Sequence, residues 1–349
     1  MNMRFDATQT VAQETTTPPG NGVGQKFTLV ATAKNEGPYV LEWVAHHRAI
    51  GFTDILVYQN DSDDMTHRTL RNLHQLGLIK YFRNDNPRRN YQIRAYRRAG
   101  NEPEFRNADW AMALDLDEFL VIKTGDGTLS SYLKALPDSD EVLINWRLFG
   151  SGGHALPSSD LVTERFVMAE PSDAIATYVS AYKSLFKPEK YERPGIHKPR
   201  RLDEFADAPR NFVNGSGLKP DAFDTRGYRT SDPEMRALAQ INHYAVRDAG
   251  SFLLKTCRGR AHQDQNPVNR RYWRNRDINA ELDTSALDGV ARTKALMDEY
   301  IEMSNRALYN QRCRSLEMHL TGIEKLLENP ATRAHYLYFL GRRPGEVAE

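Results

Sequence analysis

The sequence predicts an α/β fold: a mostly parallel central sheet with helices on both faces, plus a C-terminal helical extension. Two observations lead to this prediction. Short apolar strands alternate with helical segments from Phe27 onward, which is the pattern of parallel sheets covered on both faces. Beyond about residue 285, apolar residues recur only at helical spacing. In such sheets, ligands bind at the carboxyl ends of the strands.

The first elements are marked by apolar runs and by turn residues. Residues 27–33 form a buried strand, Pro38 suits the first position of a helix, and Gly51 closes that helix. Residues 54–58 form the second strand, and residues 65–76 form the second helix. Each strand is therefore followed by a helix that can cover one face of the sheet.

The third strand is expected at residues 78–82, a basic helix at residues 91–99, and a buried strand at residues 110–114. The last strand runs into the acids Asp115 and Asp117. Carboxylates at the end of a buried strand cost free energy unless a partner compensates them, and Mg²⁺ or Mn²⁺ is the usual partner. In an extended chain these two side chains project to the same side. The alternative is a solvated strand end with capping acids.

Alternation of side chains along an extended chain turns Glu118 away from Asp115 and Asp117. A supporting or structural role is therefore expected for Glu118. Two further strands end in polar residues, Asn35-Glu36 and Asp61-Ser62-Asp63. Because the carboxyl ends of parallel strands meet at one edge, the three clusters predict a single site. For Asp61 and Asp63, turn and N-cap chemistry before the second helix is the alternative.

The composition of the chain argues against several classes of function. The 349 residues carry 47 Lys and Arg against 46 Asp and Glu, so no global charge points to nucleic acid or to an anionic membrane. Cys257 and Cys313 lie in no Cys-x-x-Cys motif, which fits a reducing compartment. No run approaches the roughly 18 apolar residues of a transmembrane helix. A cytoplasmic protein is expected, with peripheral attachment to the inner membrane as the open alternative.

Short motifs follow one another in a fixed order along residues 27–260. They are Lys34-Asn35-Glu36-Gly37, Leu41-Glu42-Trp43, His46-His47, Asn60-Asp61-Ser62-Asp63-Asp64, Leu114-Asp115-Leu116-Asp117-Glu118-Phe119, Asn145-Trp146, Lys183-Ser184-Leu185-Phe186, His197-Lys198 and Asn242-His243-Tyr244. In this order they resemble bacterial family 2-type glycosyltransferases, most closely the subgroup related to the family 92 glycosyltransferases. The resemblance implies the Rossmann-like GT-A fold, a nucleotide-sugar donor and a divalent metal. Gln59-Asn60-Asp61 departs from the usual pattern of the group.

The resemblance also assigns roles to residues. Asp115 and Asp117 are the expected Mn²⁺ or Mg²⁺ ligands, and His243 closes the metal shell, with His197 as its competitor. A metal at this point stabilises the charge that builds on a departing diphosphate. The expected nucleotide-binding residues are Asn35, Glu36, Asp61, Asp63, Asp115, Lys183, Arg247 and Lys255. The alternatives are a hydrogen-bonded core histidine at position 243 and exposed surface charge at the basic positions.

The acceptor side depends on fewer residues. The expected acceptor is a hydroxyl of a carbohydrate or glycoconjugate, and an inverting transfer to it needs a base, usually Asp or Glu. Glu164 follows the glycine-rich turn at residues 149–154 and is the candidate, and Asp160 is the nearby alternative. Either could instead be an acid in a salt bridge.

The expected organisation has three parts: a disordered tail at residues 1–25, a GT-A catalytic domain at 26–260, and a loop with a helical extension at 261–349. The apolar helical faces of the extension either pack on the catalytic domain or pair two chains as a homodimer. The site is expected to form without these helices. Three functions compete: a metal-dependent glycosyltransferase using a uridine diphosphate (UDP) sugar, a nucleotidyltransferase, and a non-catalytic sugar- or partner-binding module.

Overall fold

The structure of this protein is a computed structural model. It describes residues 24–85, 90–174, 181–219, 234–258 and 270–342. Residues 1–23 of the predicted tail, and residues 261–269 of the loop predicted after the catalytic domain, lie outside the described residues.

The strands of the described residues are β1 (Phe27–Ala33), β2 (Asp54–Gln59), β3 (Lys80–Arg83), β4 (Trp110–Ala113), β5 (Glu118–Ile122), β6 (Glu141–Leu148), β7 (Met168–Ala169), β8 (Tyr182–Phe186), β9 (Tyr191–Arg193), β10 (Arg200–Arg201), β11 (Phe212–Asn214), β12 (Ala239–His243) and β13 (Glu281–Leu282). The α-helices are α1 (Val40–Ala49), α2 (Thr66–Gln75), α3 (Tyr91–Ala99), α4 (Pro103–Arg106), α5 (Leu129–Ala135), α6 (Val162–Arg165), α7 (Ala249–Arg258), α8 (Arg270–Arg274), α9 (Val290–Met303), α10 (Ala307–Leu327) and α11 (Pro330–Phe339).

One central sheet runs in the order β3-β2-β1-β4-β8-β6-β12-β5, and β11 pairs with β6. Strand β1 is parallel to β2 and β4, β2 is parallel to β3, and β6 is parallel to β11 and β12. Strand β8 is antiparallel to β4 and β6, and β5 is antiparallel to β12. The predicted mostly parallel sheet is therefore confirmed.

Helices cover both faces of the parallel half of the sheet. Along β1, Leu29 and Ala31 belong to the main hydrophobic core, together with residues of α1 and α9. Val30 points to the other face and packs in a cluster with Ala95 and Tyr96 of α3. The alternation of side chains along a strand thus supplies one apolar face to each helical layer, as the sequence predicted.

The acidic segment does not continue β4 as an extended chain. Strand β4 ends at Ala113, and the Glu118 N–H donates to the Asp115 carbonyl at 3.0 Å, which closes a turn before β5. The turn is required because β5 must reverse to pair antiparallel with β12. The prediction that Asp115 and Asp117 project from one strand face is therefore wrong; the two side chains leave a turn and meet different partners.

The C-terminal helices pack on the sheet domain. Helix α9 packs against α1, and α10 packs against α2 and α7. Val290, Met297 and Tyr300 of α9 belong to the same hydrophobic core as β1. Packing on the sheet domain, one of the two alternatives for these helices, is what the structure shows, whereas homodimer formation stays a prediction. None of the described helices has the length and apolarity needed to cross a membrane.

Gly37 provides a test of how α10 docks. Its N–H donates to Asp64 at 3.0 Å, and a Cβ at this position would overlap the Ser315 side chain of α10. Gly37→Ala is expected to lower the free energy of unfolding by about 1–3 kcal/mol, since overpacking forces side chains or backbone to shift. Urea unfolding measures the change.

The matched control for this substitution is Gly289→Ala. An added Cβ there meets nothing within 4 Å, so the change should stay within about 0.5 kcal/mol. Equal stability of Gly37→Ala and wild type would show that α10 does not press on this turn.

Candidate functional site

The loops that follow β1, β2 and β4 meet at one edge of the sheet. The Asp63 N–H donates to Asn35 Oδ1 at 2.8 Å, which joins the loops after β1 and β2. Arg247 joins the loops after β1 and β4, because its guanidinium donates to Glu36 at 2.8 Å and to the Leu116 carbonyl at 3.0 Å. The predicted convergence of the three polar clusters is confirmed.

The backbone of this edge departs from ordinary dihedral angles. Asn35, Asp61 and Arg247 have positive φ values of 54°, 35° and 52°. Asn and Asp tolerate the left-handed region because their short side chains bond locally, but arginine adopts it rarely. Non-glycine residues in this conformation cluster at functional sites, where the surrounding structure holds them. The strain therefore marks the same edge that carries the acids.

Asp117 lies between a lysine and a histidine. Lys255 Nζ donates to Asp117 Oδ2 at 2.8 Å, and His243 Nε2 lies 3.8 Å from Asp117 Oδ1. Burial opposes ionisation of Asp117, but the positive charges of Lys255 and Arg247 outweigh it and hold the pKa of this carboxyl well below its ordinary value. Asp117 is therefore a carboxylate at neutral pH.

His243 is the last residue of β12 and packs on an aromatic ring. The predicted closeness of His243 to Asp117 is confirmed by the 3.8 Å distance, across more than a hundred residues of sequence. The centroid of the His243 ring lies 4.3 Å from that of the Trp146 ring. Burial lowers the pKa of His243 to about 3. His197, the competing candidate, packs on Trp146 at 5.2 Å, and its Nδ1 contacts the Tyr182 carbonyl at 3.0 Å. His243, a neutral imidazole, is the histidine that faces Asp117.

Asp115 belongs to a second ionic cluster. Its carboxylate accepts from Gln92 at 2.7 Å and from Lys183 at 3.1 Å. Lys183 is 1% exposed and lies equally close, at 3.1 Å, to Glu118. Glu118 also accepts from the Asp115 N–H at 2.9 Å, and burial raises its pKa to about 8. Glu118 thus stabilises the acidic turn through the Asp115 N–H and through Lys183, in agreement with the structural role expected for it.

Arg247 and its neighbours bring further positive charge to the edge. The guanidinium lies over the Tyr39 ring, 3.8 Å from its centroid, and is 7% exposed. Burial opposes its charge, but Glu36 outweighs burial and raises the pKa of Arg247. The predicted nucleotide-binding cations Lys183, Arg247 and Lys255 therefore each contact an acid of the site.

Asp61 and Asp63 are exposed at the end of β2. Asp61 accepts from the Tyr91 hydroxyl at 2.9 Å. The first N–H of α2, that of Thr66, donates instead to Asp64 at 2.9 Å. The N-cap alternative for Asp61 and Asp63 is therefore wrong, because it is the Asp64 carboxylate that accepts the hydrogen bond from the start of α2. Their role in nucleotide binding stays a prediction.

The two candidate bases lie elsewhere. Glu164 is on α6 and forms a 2.6 Å ion pair with Lys294 of α9. Asp160 accepts from the Ser158 hydroxyl at 2.7 Å. Among the described residues, neither side chain hydrogen-bonds to the acids of the turn or lines the cavity described next. The salt-bridge alternative is what the structure shows for Glu164.

A cavity of about 560 Å³ opens beside the acidic turn. One wall comes from the strand ends and includes Asn35, Glu36 and Arg247. The other wall comes from α7 and from α10, and includes Lys255 and His319. No motif in the sequence placed a C-terminal helix on this wall. The expectation that the metal site around Asp117 and His243 forms without these helices stays a prediction, since the contact between these two residues involves none of them. Contacts between residues so distant in sequence leave no local pattern.

Few side chains of the site are placed to bind the expected Mn²⁺ or Mg²⁺. Across the part of the chain that the structure describes, no group of three or more His, Cys, Asp or Glu side chains could hold a metal ion. Asp117 and His243 nevertheless offer one ionised carboxylate and one neutral imidazole, the protonation states that metal ligands need. Mg²⁺ commonly uses only one or two carboxylates together with substrate phosphates and water. The residues therefore fit an ion that is shared with a bound diphosphate.

A protein-family model for glycosyltransferase family 92 matches residues 33–207, half of the chain. The chain belongs to glycosyltransferase family 92. The match covers the strand ends, the acidic turn and Lys183, whereas His243, Arg247, Lys255 and α10 lie beyond it. No curated protein matches the chain significantly.

Several solved structures are similar to this family 92 chain. TarS of S. aureus in complex with UDP is 14% identical, with a TM-score of 0.30, over 47% of each chain. The bifunctional glycosyltransferase WbbM is 13% identical, with a TM-score of 0.32, over 82% of this chain and 52% of its own. A putative glucose-1-phosphate thymidylyltransferase of Bacillus anthracis is 9% identical, with a TM-score of 0.28, over 48% and 72%. The match spans about half the length of the TarS chain.

Proposed function

We propose that this chain is a metal-dependent glycosyltransferase that moves a sugar from a nucleoside-diphosphate sugar, most simply a UDP-sugar, to a hydroxyl of a carbohydrate or glycoconjugate. Membership of family 92 supports the reaction class. The observation that carries the proposal is the ionic cluster at the sheet edge, where Asp117 lies between Lys255 and His243 beside the 560 Å³ cavity.

The charges of this cluster suit a diphosphate leaving group. When the sugar leaves, negative charge builds on the diphosphate, and fixed positive groups lower the energy of that state. Lys255 and Arg247 lie on the wall of the cavity and are held by Asp117 and Glu36. These pairs keep the cations in place before the substrate binds, so little reorganisation is needed when charge develops.

The proposed metal ligands are Asp117 and His243, with Asp115 towards the metal or the ribose. A bound Mn²⁺ or Mg²⁺ would act as a Lewis acid on the diphosphate. Asp117 supplies a carboxylate whose ionisation the neighbouring cations maintain. His243 supplies an imidazole that burial keeps neutral, and the Trp146 ring packs against it with centroids 4.3 Å apart.

The base of the nucleotide is proposed to bind at the ends of β1 and β2. Asn35, Asp61 and Asp63 place amide and carboxylate oxygens there, and these atoms accept hydrogen bonds from base N–H and ribose hydroxyl groups. Asp61 and Asp63 are exposed, and Tyr91 orients the Asp61 carboxylate through its 2.9 Å hydrogen bond. A uracil N–H would find acceptors at this position.

The test compares nucleoside diphosphates by thermal unfolding, with and without Mn²⁺. A ligand at 100 times its Kd stabilises a protein by about 2.7 kcal/mol, so UDP with Mn²⁺ should raise the melting temperature by several degrees. We expect ADP and GDP to raise it less. Asp61→Ala should reduce the difference between UDP and the other two, because it removes an acceptor from the base pocket.

The outcomes separate the competing functions. Equal stabilisation by all three diphosphates would move the base pocket away from Asp61 and Asp63. Stabilisation by a nucleoside triphosphate with no response to a nucleotide sugar would favour a nucleotidyltransferase. No response to any nucleotide, with or without the metal, would leave a non-catalytic binding module.

A further inference from the structure

The α10 wall of the cavity carries a histidine with a carboxylate partner. His319 Nε2 lies 3.0 Å from Asp64 Oδ2. His319 lies in the middle of α10 and Asp64 lies before α2, so 255 positions of sequence separate them. Both residues line the cavity.

The hydrogen bond fixes the tautomer of His319. An ionised carboxylate only accepts, so Nε2 carries a proton, and in the neutral imidazole Nδ1 then keeps a lone pair. Nδ1 is buried and has no hydrogen-bond partner among the described residues, although His319 is only 9% exposed. Buried polar atoms without a partner are rare in folded proteins. His319 lines the cavity, so a ligand hydroxyl that reaches Nδ1 from there would supply the missing donor.

Asp64 is held as a fixed negative charge. Burial alone would raise the pKa of its carboxyl, but hydrogen bonds from His319 and Thr66 outweigh burial and lower that pKa. The Gly37 N–H donates to Asp64 Oδ2 at 3.0 Å as well. Asp64 can therefore orient the imidazole and stabilise it when it gains a proton.

The alternative is that His319 only attaches α10 to the sheet domain. Other contacts already do this. The Met65 N–H donates to Ser315 Oγ at 3.1 Å, Arg312 Nε donates to the Pro38 carbonyl at 3.0 Å, and Ile323 is fully buried. Docking therefore does not explain why a residue that lines the cavity keeps an imidazole nitrogen without a hydrogen-bond partner among the described residues.

The position of His319 relative to the proposed diphosphate site follows from Tyr39. The Tyr39 ring lies under the Arg247 guanidinium at 3.8 Å, and its edge meets the His319 ring with centroids 6.4 Å apart. One tyrosine thus separates the cation proposed for the leaving group from the imidazole. A donor and an acceptor bound together across Tyr39 would place the diphosphate of the donor near Arg247 and the acceptor hydroxyl near His319.

We propose that His319 is the general base that takes the proton of the acceptor hydroxyl, with Asp64 as its positioning residue. The proposal rests on the proposed function and replaces Glu164 and Asp160 as candidates for the base. The acceptor is thereby assigned to the α10 side of the cavity.

In the proposed step, the acceptor O–H bond breaks and its proton passes to His319 Nδ1, while the acceptor oxygen forms a bond to the anomeric carbon of the donor sugar. The bond from that carbon to the diphosphate oxygen breaks, and its electron pair leaves with the nucleoside diphosphate. The imidazolium, stabilised by Asp64, then returns its proton to solvent.

The main variant is His319→Gln. The glutamine amide can still donate to Asp64, so α10 stays docked, but the side chain cannot accept a proton at neutral pH. The assay follows UDP released from a UDP-sugar at saturating donor, with water and a panel of methyl glycosides as acceptors. We expect the rate to fall about 100-fold or more, with the Kd for UDP within twofold and the melting temperature within two degrees of wild type, roughly the scatter of a surface substitution.

His335→Gln is the matched control, because His335 lies on α11, is exposed and does not line the cavity. It should leave the rate unchanged. Asp64→Asn, which removes the negative charge next to the imidazole, should lower kcat and leave the Kd for UDP within twofold. A merely structural role of Asp64 would instead lower the melting temperature without a selective loss in kcat.

Nitrogen NMR of the protein with ¹⁵N-labelled histidine tests the dyad without any activity. His319, assigned by its loss in His319→Gln, should show a protonated Nε2 and an unprotonated Nδ1 at neutral pH. A protonated Nδ1 would overturn the proposal.

The failures are distinguishable. If wild type releases UDP and His319→Gln releases it equally fast, His319 is not the base and the proposed function stands. If wild type neither binds nor cleaves any nucleotide sugar, the proposed function fails and takes this assignment with it.

Discussion

Asp117→Ala is expected to abolish turnover and the metal-dependent part of nucleotide binding. Asp117 is the carboxylate that faces His243, and without it an ion would keep a single protein ligand while Lys255 loses its compensating charge. The loss of turnover should be about 1,000-fold or more, the upper range for removing one preorganised electrostatic group. UDP release and UDP binding with and without Mn²⁺ measure the two effects.

The fold should survive this change. The Tyr244 N–H donates to the Asp117 carbonyl at 2.8 Å, and this contact does not involve the side chain. Asp138→Ala is the matched control, because the Asp138 side chain is 91% exposed and belongs to none of the proposed site. Full activity of Asp117→Ala, or full activity of wild type in excess chelator, would refute the metal-dependent mechanism.

Lys183→Met is expected to cause the largest loss of stability. Lys183 is 1% exposed and lies 3.1 Å from both Asp115 and Glu118. Removing one partner of a buried ionic cluster leaves charge without compensation, which costs about 3–5 kcal/mol. Urea unfolding at neutral pH measures the difference in the free energy of unfolding.

The effect should depend on pH in one direction. Burial raises the pKa of Glu118 to about 8, above its value of 4.5 in the unfolded chain. The Lys183 charge opposes this rise, so its loss raises the pKa of Glu118 further in the folded variant. Below about pH 8, Glu118 is protonated in folded wild type and folded variant alike, so its contribution to the difference between them stays small. As pH rises above about 8, folded wild type ionises Glu118 beside Lys183 whereas the folded variant cannot, and the destabilisation of the variant grows.

Lys187→Met is the matched control on the same segment. Lys187 is partly exposed and pairs with Asp138 and Asp140, so its loss should cost about 0–1 kcal/mol. A cost below about 1 kcal/mol for Lys183→Met as well would show that Asp115 and Glu118 do not depend on this lysine.

The sequence predicted the elements of the first half closely because their signals are local. Residues 27–33 and 91–99 form the strand and the helix that their apolar patterns and turn residues indicated, with the same bounds. The carboxyl ends of parallel strands must share an edge, so the meeting of Asn35, Asp63 and the acidic turn could also be predicted.

The direction of individual side chains could not be predicted in the same way. Period-two alternation placed Asp115 and Asp117 together, but it assumes an extended chain. Pairing of β5 with β12 requires a reversal after Ala113, and that reversal sends Asp115 to Lys183 and Asp117 to Lys255. A strand partner more than a hundred residues away therefore decided the geometry of the acids.

By itself, the sequence thus determined the fold class, the order of the elements and the edge of the sheet where the acids lie, because periodicity and turn chemistry act over a few residues. The tertiary structure alone decided which groups face one another there. The approach of His243 to Asp117 and of His319 to Asp64 depends on packing between distant elements. Helix α10 carries no motif that marks it as part of a site; its place on the cavity follows from its packing on α2 and α7 and from the hydrogen bond of the Met65 N–H to Ser315.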